Sequence, residues 1–352
     1  MIIYHLNKTI PLFFSQISKI YKEKGKLTKN MRKLDLTDRK IILELDTNAR
    51  KSYNEIGKRL GIGKNNVQYR VKRLMEDGVI KKFVTQFSLG TLGLFLGKFY
   101  LQLSGFEEEK EKEMYDYLMN DKRISWVAKC EGRWDLMIGC YVKSLKQLNG
   151  IKQDFFKKYE KYITSYDAVF LVEGYTSQRT YLLNKKSIPR KIEKFIGAEN
   201  AELDDKDKKI VKIIANDARF NYLDIAKNLG LNIKTVQKRI KNLEKQGVIQ
   251  GYIAFLDPKK IGYNFFKLCI YLQNYEVKFN HFLKYCMELP NVIHIIESLG
   301  PWEVELEIET ESLEDFYSLT HEIRNQFSDI IKKTESIIIS NEMKLDFFPE
   351  WY

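Results

Sequence analysis

The side chains with the clearest chemical meaning lie on one short stretch. Lys64, Asn65, Asn66, Gln68, Tyr69, Arg70, Lys72 and Arg73 surround an apolar row of Val67, Val71 and Leu74. Amide side chains can pair with adenine edges and guanidinium groups with guanine, while Lys and Arg also neutralise phosphate. A second stretch repeats the design, with Lys234, Thr235, Gln237, Lys238, Arg239 and Lys241 around Val236, Ile240 and Leu243. Both sets fit helices lying in the major groove of double-stranded DNA. Other chemistries lack their residues. The four cysteines, Cys130, Cys140, Cys269 and Cys286, form no CxxC pair, so neither a zinc site nor a redox pair is expected, and they read as reduced, buried thiols of a cytoplasmic protein. No Ser/His/Asp set, P-loop or HExxH is present, so no catalytic residue, metal or cofactor is assigned. No run of 18 apolar residues is present, so no membrane span is expected.

The elements that would position these residues follow from periodicity. Asp38 is placed to cap a helix whose apolar stripe is Ile41, Ile42 and Leu45. A short helix is expected over about Tyr53–Leu60, then a tight Gly61-Ile62-Gly63 turn, then a third helix over about Lys64–Glu76 ended by Gly78. Val79-Ile80 begin an extended wing. Two short helices, a glycine turn and a polar-faced third helix make a helix-turn-helix.

The same unit is written twice. At an offset of 169 residues, the distance from Asp38 to Asp207, the pairs Ala49/Ala218, Arg50/Arg219, Leu60/Leu229, Gly61/Gly230, Val67/Val236, Arg70/Arg239 and Gly78-Val79-Ile80/Gly247-Val248-Ile249 all match. Self-similarity of this length sets the architecture. Residues 34–83 and 203–252 each carry a net charge of +5, residues 1–33 carry +7, and residues 253–352 carry −8. A basic excess confined to two matching modules points to a polyanionic partner.

Behind each helix-turn-helix the pattern alternates strands and helices. In the first copy strands are expected at Leu96–Leu103, Ile124–Glu131, Asp135–Val142 and Ile163–Val172, with helices at Glu107–Asn120 and Leu145–Tyr159. In the second they fall at Phe265–Gln273, Val292–Leu299, Glu303–Ile308 and Ser336–Ile339, with helices at Val277–Glu288 and Leu313–Phe327. That order is βαββαβ, the ferredoxin-like plan. Each copy turns its central hairpin on Gly-x-Trp-acid, Gly132–Asp135 and Gly300–Glu303. Glu303, Glu305, Glu307 and Glu309 alternate with Trp302, Val304, Leu306 and Ile308, so the four acids are expected on a solvated face. The whole is an α+β chain of two winged helix-turn-helix domains alternating with two ferredoxin-like domains. Its parts are a basic extension (1–33), a first winged helix (34–83), a first α+β domain (84–185), a linker (186–202), a second winged helix (203–252) and a second α+β domain (253–352).

The Gly61–Val71 run, the Gly-Val-Ile that follows the third helix and the Gly-x-Trp-Asp hairpin together resemble the Lrp/AsnC, or feast/famine, regulators of bacteria and archaea. The resemblance spans about residues 32–350, twice over. It implies promoter DNA as partner, assembly through the α+β domains, and an amino acid or similar small effector near the acidic turns, which here are Gly132 and Asp135, and Gly300 and Glu303. Typical family members carry one unit per chain. Two units in one chain are expected to form an intrachain pseudo-dimer, with homo-oligomers as a further level, and to read two non-identical half-sites.

Two alternatives share these features. Siroheme and other tetrapyrrole decarboxylases resemble the same two-part fold and rely on His and Arg in the α+β domain. Here the only histidines are His5, His281, His294 and His321, and none clusters beside a first strand. A chromatin-like protein that coats DNA without sequence preference would also carry basic winged helices.

Overall fold

The structure is a computed structural model that describes residues 34–184, 189–194 (backbone only), 201–349 and 351–352. The basic extension lies outside the described residues.

The first copy opens with α1 (Leu36–Thr47), α2 (Tyr53–Leu60) and α3 (Lys64–Glu76). Ser52 accepts from the Glu55 amide and caps α2; Gly61 ends it at φ 69°, a left-handed conformation that glycine adopts without penalty. Asp38 is not the expected cap. It falls inside the first turn of α1, buried, because the helix begins at Leu36. The second copy repeats the trio as α6 (Asp205–Ile214), α7 (Tyr222–Leu229) and α8 (Ile233–Lys245), with Gly230 at φ 62°.

The strands that follow, β1 (Ile80–Phe87) and β7 (Ile249–Leu256), pair antiparallel with each other, Val84 opposite Ile253. Each extended wing segment is therefore one half of a shared ribbon. Each trio hangs on the other copy's strand: the Ala49 amide donates to the Tyr252 carbonyl (2.8 Å), and the Ala218 amide to the Phe83 carbonyl (3.0 Å).

The first α+β domain comprises β2 (Phe95–Leu103), α4 (Glu108–Asn120), β3 (Trp126–Gly132), β4 (Leu136–Val142), α5 (Leu145–Tyr159) and β5 (Ile163–Ser177). The second comprises β8 (Asn264–Leu272), α9 (Phe279–Glu288), β9 (Val292–Leu299), β10 (Val304–Thr310), α10 (Leu313–Gln326) and β11 (Ile331–Leu345). Strand orders β5-β2-β4-β3 and β11-β8-β10-β9 are those of ferredoxin-like sheets. The two sheets then join through β3–β11 and β5–β9 into a closed antiparallel ring of eight strands. Closure removes the exposed sheet edges that would otherwise recruit other chains.

The last strands are much longer than their expected spans, Ile163–Val172 and Ser336–Ile339. The first part of β5 pairs with β2 and its remainder with β9; β11 likewise pairs first with β8, then with β3. The expected linker also carries structure: β6 (Pro189–Lys194) pairs with the end of β5, Tyr175 opposite Ile192.

Each sheet packs one face on its own helices, forming one core around Leu101, Val127, Ile138 and Phe155 and another around Leu268, Leu306, Phe316 and Phe327. A third core fills the ring from both copies, with Tyr100, Trp126, Trp134, Met137, Trp302 and Ile337. The four cysteines are buried and unpaired with one another. Among the described residues no helix is long and apolar enough to cross a membrane.

Candidate DNA-binding face and the turns

On α3 the row Val67, Val71 and Leu74 is buried, and Lys64, Asn65, Asn66, Gln68, Tyr69 and Lys72 are exposed. On α8 Val236, Ile240 and Leu243 are buried, and Lys234, Thr235, Gln237, Lys238 and Lys241 are exposed. One further side chain stands out on these faces beyond the residues expected from sequence: Ile233, at the position of Lys64 in α3, is 38% exposed at the start of α8. An exposed apolar residue at the first position of a polar-faced helix is the signal that could have found it. Asn232 caps α8 by accepting from the Lys234 amide, whereas Gly63 before α3 supplies no side-chain cap.

Three of the expected base readers are directed inward. Arg70 donates to Asp38 Oδ1 at 2.7 Å and Arg73 to Asp38 Oδ2 at 2.6 Å. Arg239 donates to Asp207 (2.8 Å) and Asp204 (2.9 Å). These guanidiniums hold the third helix against the first, because Asp38 is buried and a buried carboxylate needs a cation and donors. Their charge is thus already engaged within the fold.

The trios are locked together by a reciprocal clamp. Arg50 donates to the Ala218 and Phe220 carbonyls (2.8 and 3.4 Å) and lies 3.8 Å over the Phe220 ring. Arg219 donates to the Ala49 and Lys51 carbonyls and lies 4.5 Å over Tyr53. The repeated Ala-Arg pair is therefore a cross-copy contact that joins the loops following α1 and α6, alongside the β1–β7 ribbon.

At the hairpin turns the acidic residues are engaged by backbone amides. Asp135 accepts from the Leu103 amide at 2.7 Å and Glu303 from the Leu272 amide at 2.6 Å, so these carboxylates tie off the ends of β2 and β8. Gly132 (φ 126°) and Gly300 are exposed; a side chain on either would meet the other copy's last strand, at Ser336 O (3.0 Å) and Ala168 O (3.1 Å). Both turns thus sit at the seams between the copies.

The acids expected on a solvated face are mostly interior. Glu305 and Glu309 are 0% and 1% exposed, and Glu307 is largely covered. Period-two alternation is correct, but the second face looks into the ring instead of into water. Glu309 accepts from Arg179 Nε (2.9 Å), Arg179 Nη2 (3.0 Å) and the Tyr181 hydroxyl, and Arg179 also reaches Asp46 of α1 (3.1 Å). Burial pulls the Arg179 pKa down, but Glu309 and Asp46 more than offset that and hold it well above normal.

Among the described histidines, His294 lies 3.2 Å from the Thr176 hydroxyl, His321 contacts Asn325, and His281 stacks edgewise on Phe327. Among the described residues no group of three His, Cys, Asp or Glu could hold a metal.

The winged helix-turn-helix DNA-binding family matches residues 34–81 and 203–250. The helix-turn-helix-type transcriptional regulator FL11 of Pyrococcus horikoshii is 30% identical over 129 residues, 37% of this chain and 80% of that protein. The regulatory protein AsnC of Haemophilus influenzae is 25% identical over 151 residues, 42% of this chain and 98% of that protein. Each alignment takes in well under half of this chain but most of the relative, as expected when one chain holds two units. Among solved structures, the siroheme decarboxylase NirDL is similar over 90% of this chain and 94% of its own, with a TM-score of 0.61 at 13% identity; at that identity the likeness is one of fold. The matches to both helix-turn-helix modules and to whole one-unit regulators place this chain in the Lrp/AsnC family of DNA-binding transcription regulators, with the family's unit duplicated in tandem.

Proposed function

We propose that the protein binds promoter DNA through α3 and α8 together and reads two unlike half-sites from a single chain. One observation carries this reading: both third helices turn a row of exposed Lys, Asn, Gln and Thr outward over a buried apolar row, while the Arg50/Arg219 clamp joins their two modules. Asn65, Asn66, Gln68 and Gln237 are suited to adenine edges, and Ile233 and the Thr235 methyl to thymine methyls. Lys64, Tyr69, Lys72, Lys234, Lys238 and Lys241 serve phosphate contacts. Arg70, Arg73 and Arg239 act by positioning their helices.

Assembly through the α+β domains within one chain, with further association between chains, belongs to the same proposal, as does a cytoplasmic setting. An amino-acid effector would engage the exposed glycine turns at Gly132 and Gly300, because the Asp135 and Glu303 carboxylates already receive backbone amides. The regulator reading is favoured over a decarboxylase because whole-unit sequence relatives are regulators, whereas the decarboxylase shares only the fold.

The test is selection of bound fragments from genomic DNA followed by footprinting. The expected result is one protected site with two different half-sites, bound far more tightly than random DNA at the same salt. A perfect palindrome would sink the two-reader reading, and equal affinity for any sequence would favour the coating alternative. Siroheme that binds with a Soret band and loses carboxylate would establish the enzyme instead.

A further inference from the structure

The interior of the eight-stranded ring carries charge that only one pairing of halves balances. Lys98 of β2 and Lys267 of β8 occupy the same repeat position and are 3% and 0% exposed. Both reach Glu305, at 3.0 and 2.7 Å, and Lys267 also reaches Glu307 at 2.7 Å. Glu305 further accepts from the Tyr100 hydroxyl (2.7 Å) and Trp302 Nε1 (3.2 Å). Burial alone would push the Glu305 carboxyl up; the two ammonium groups and these hydrogen bonds more than offset it and hold the carboxyl far below the usual range.

The lysines are shared by the copies, but the acids are not. Aligned on Trp134 and Trp302, the first-copy residues at the positions of Glu305 and Glu307 are Met137 and Gly139. Met137 is fully buried, and a side chain at Gly139 would press within 3.0 Å of Trp126 Cβ. In the observed pairing Lys98 and Lys267 face Glu305 and Glu307, while the nearby Glu342 carboxyl is pushed up to about 7 by burial. Two first-copy faces would bury two copies of Lys98 with no acid at the Glu305 and Glu307 positions, and two second-copy faces would set four glutamates there against two lysines. Uncompensated charge in such an interior is strongly disfavoured, and repulsion against wrong partners is how interfaces acquire selectivity.

We infer that Lys98, Lys267, Glu305 and Glu307 form a pairing code: the first α+β domain accepts the second α+β domain of this chain and rejects another first domain, so the duplicated chain is insulated from like-with-like exchange. This inference stands apart from the DNA-binding reading.

The code is tested in full-length Lys98→Met, Glu305→Met and the double variant. Each is studied alone and with Ile339→Cys, which faces Cys130 across the β3–β11 seam. Glu305→Met leaves two interior lysines with one acid, and its thermal midpoint is expected to fall by roughly 5–10 °C. Adding Lys98→Met restores neutrality and is expected to recover about half of that loss. After unfolding, mixed refolding and oxidation, mass spectrometry is expected to find the cross-link from Cys130 to the introduced thiol within single chains. It should be depleted by Glu305→Met and restored in the double variant. The inference is overturned if the two substitutions act additively, if cross-linking is unchanged by Glu305→Met, or if Glu305→Met fails to fold and the double variant fails as well.

Discussion

The two ends of this molecule treat the same duplication in opposite ways. In the helix-turn-helix modules the copies remain alike at their contact: Arg50 and Arg219 make reciprocal carbonyl clamps, and β1 and β7 share one ribbon. Inside the ring they have diverged, with the acids on one side only. The straps from ring to modules are just as unequal. The first runs through the buried triad Asp46–Arg179–Glu309. At the corresponding end of the second copy, Phe347 packs on Phe255 and Phe348 on Phe87. Duplication within one chain removes the requirement that both halves satisfy one sequence, so a buried charge can be answered by its partner alone. A contact made of backbone carbonyls gains nothing by diverging, because every sequence supplies them.

The contrast can be broken most forcefully at the charged strap. Arg179→Ala leaves Asp46 and Glu309 buried without their cation and is expected to cost roughly 3–5 kcal/mol in chemical denaturation. Phe347→Ala at the aromatic strap removes packing and the Lys82 cation–π contact without leaving a buried charge unpaired, and should cost less; the reverse order would show that the charges are not what ties the first module down.

At the symmetric clamp, Arg50→Ala and Arg219→Ala should each cost about 2 kcal/mol, the scale of charge-assisted bonds. Unequal losses, read from the same denaturation curves, would mean the clamp is symmetric in shape only.

A further asymmetry is set by pH. Burial pushes the Glu342 carboxyl up from 4.5 to about 7, against a hydrogen bond from Trp126 Nε1, with Glu307 adding to the rise. Its folded form therefore holds a proton that the unfolded chain has released, so its contribution declines as pH rises from about 4.5 to 7. Glu307, held down at about 2 by Lys267 despite burial, contributes in the opposite sense: its stabilisation is present above pH 4.5 and is lost as pH falls toward 2. Glu342→Gln should flatten the first slope, on the order of 1–2 kcal/mol allowing for partial exposure, and leave the acid-side loss in place. An unchanged stability profile between pH 4.5 and 7 would place the proton elsewhere.

The smallest effect compares the two module turns. A side chain at Gly57 would come within 2.6 Å of the Ile62 carbonyl, although the second copy carries Ala226 there. Gly57→Ala should destabilise by roughly 1 kcal/mol, through strain that outweighs the gain in helix propensity. Ala226→Gly should cost a similar amount, about 1 kcal/mol, through helix propensity together with the loss of a buried methyl group. A stabilised Gly57→Ala variant in thermal melts would show that the first turn relaxes to the geometry of the second.

Much of this was written in the chain. Tyr53–Leu60 and Lys64–Glu76 fall where glycine turns and apolar spacing put them, and the ferredoxin-like order of both α+β domains was readable from strand and helix periodicity, since these depend on neighbours three to four residues away or on alternation. The tandem offset supplied the intrachain pairing and picked out Ala49-Arg50 and Ala218-Arg219 without saying what they touch. Periodicity could separate two faces of β10 but could not say that both would be covered, because the second face is buried by strands more than a hundred residues away. The extension of β5 and β11 across the seams shares that cause, while the inward turn of Arg70, Arg73 and Arg239 and the occupation of Asp135 and Glu303 by backbone amides depend on partners some thirty residues away in the same copy, still beyond the reach of local periodicity. Polarity and spacing are local properties of a sequence, whereas whether a charge meets water, a base or a buried carboxylate is decided only when distant segments close around it.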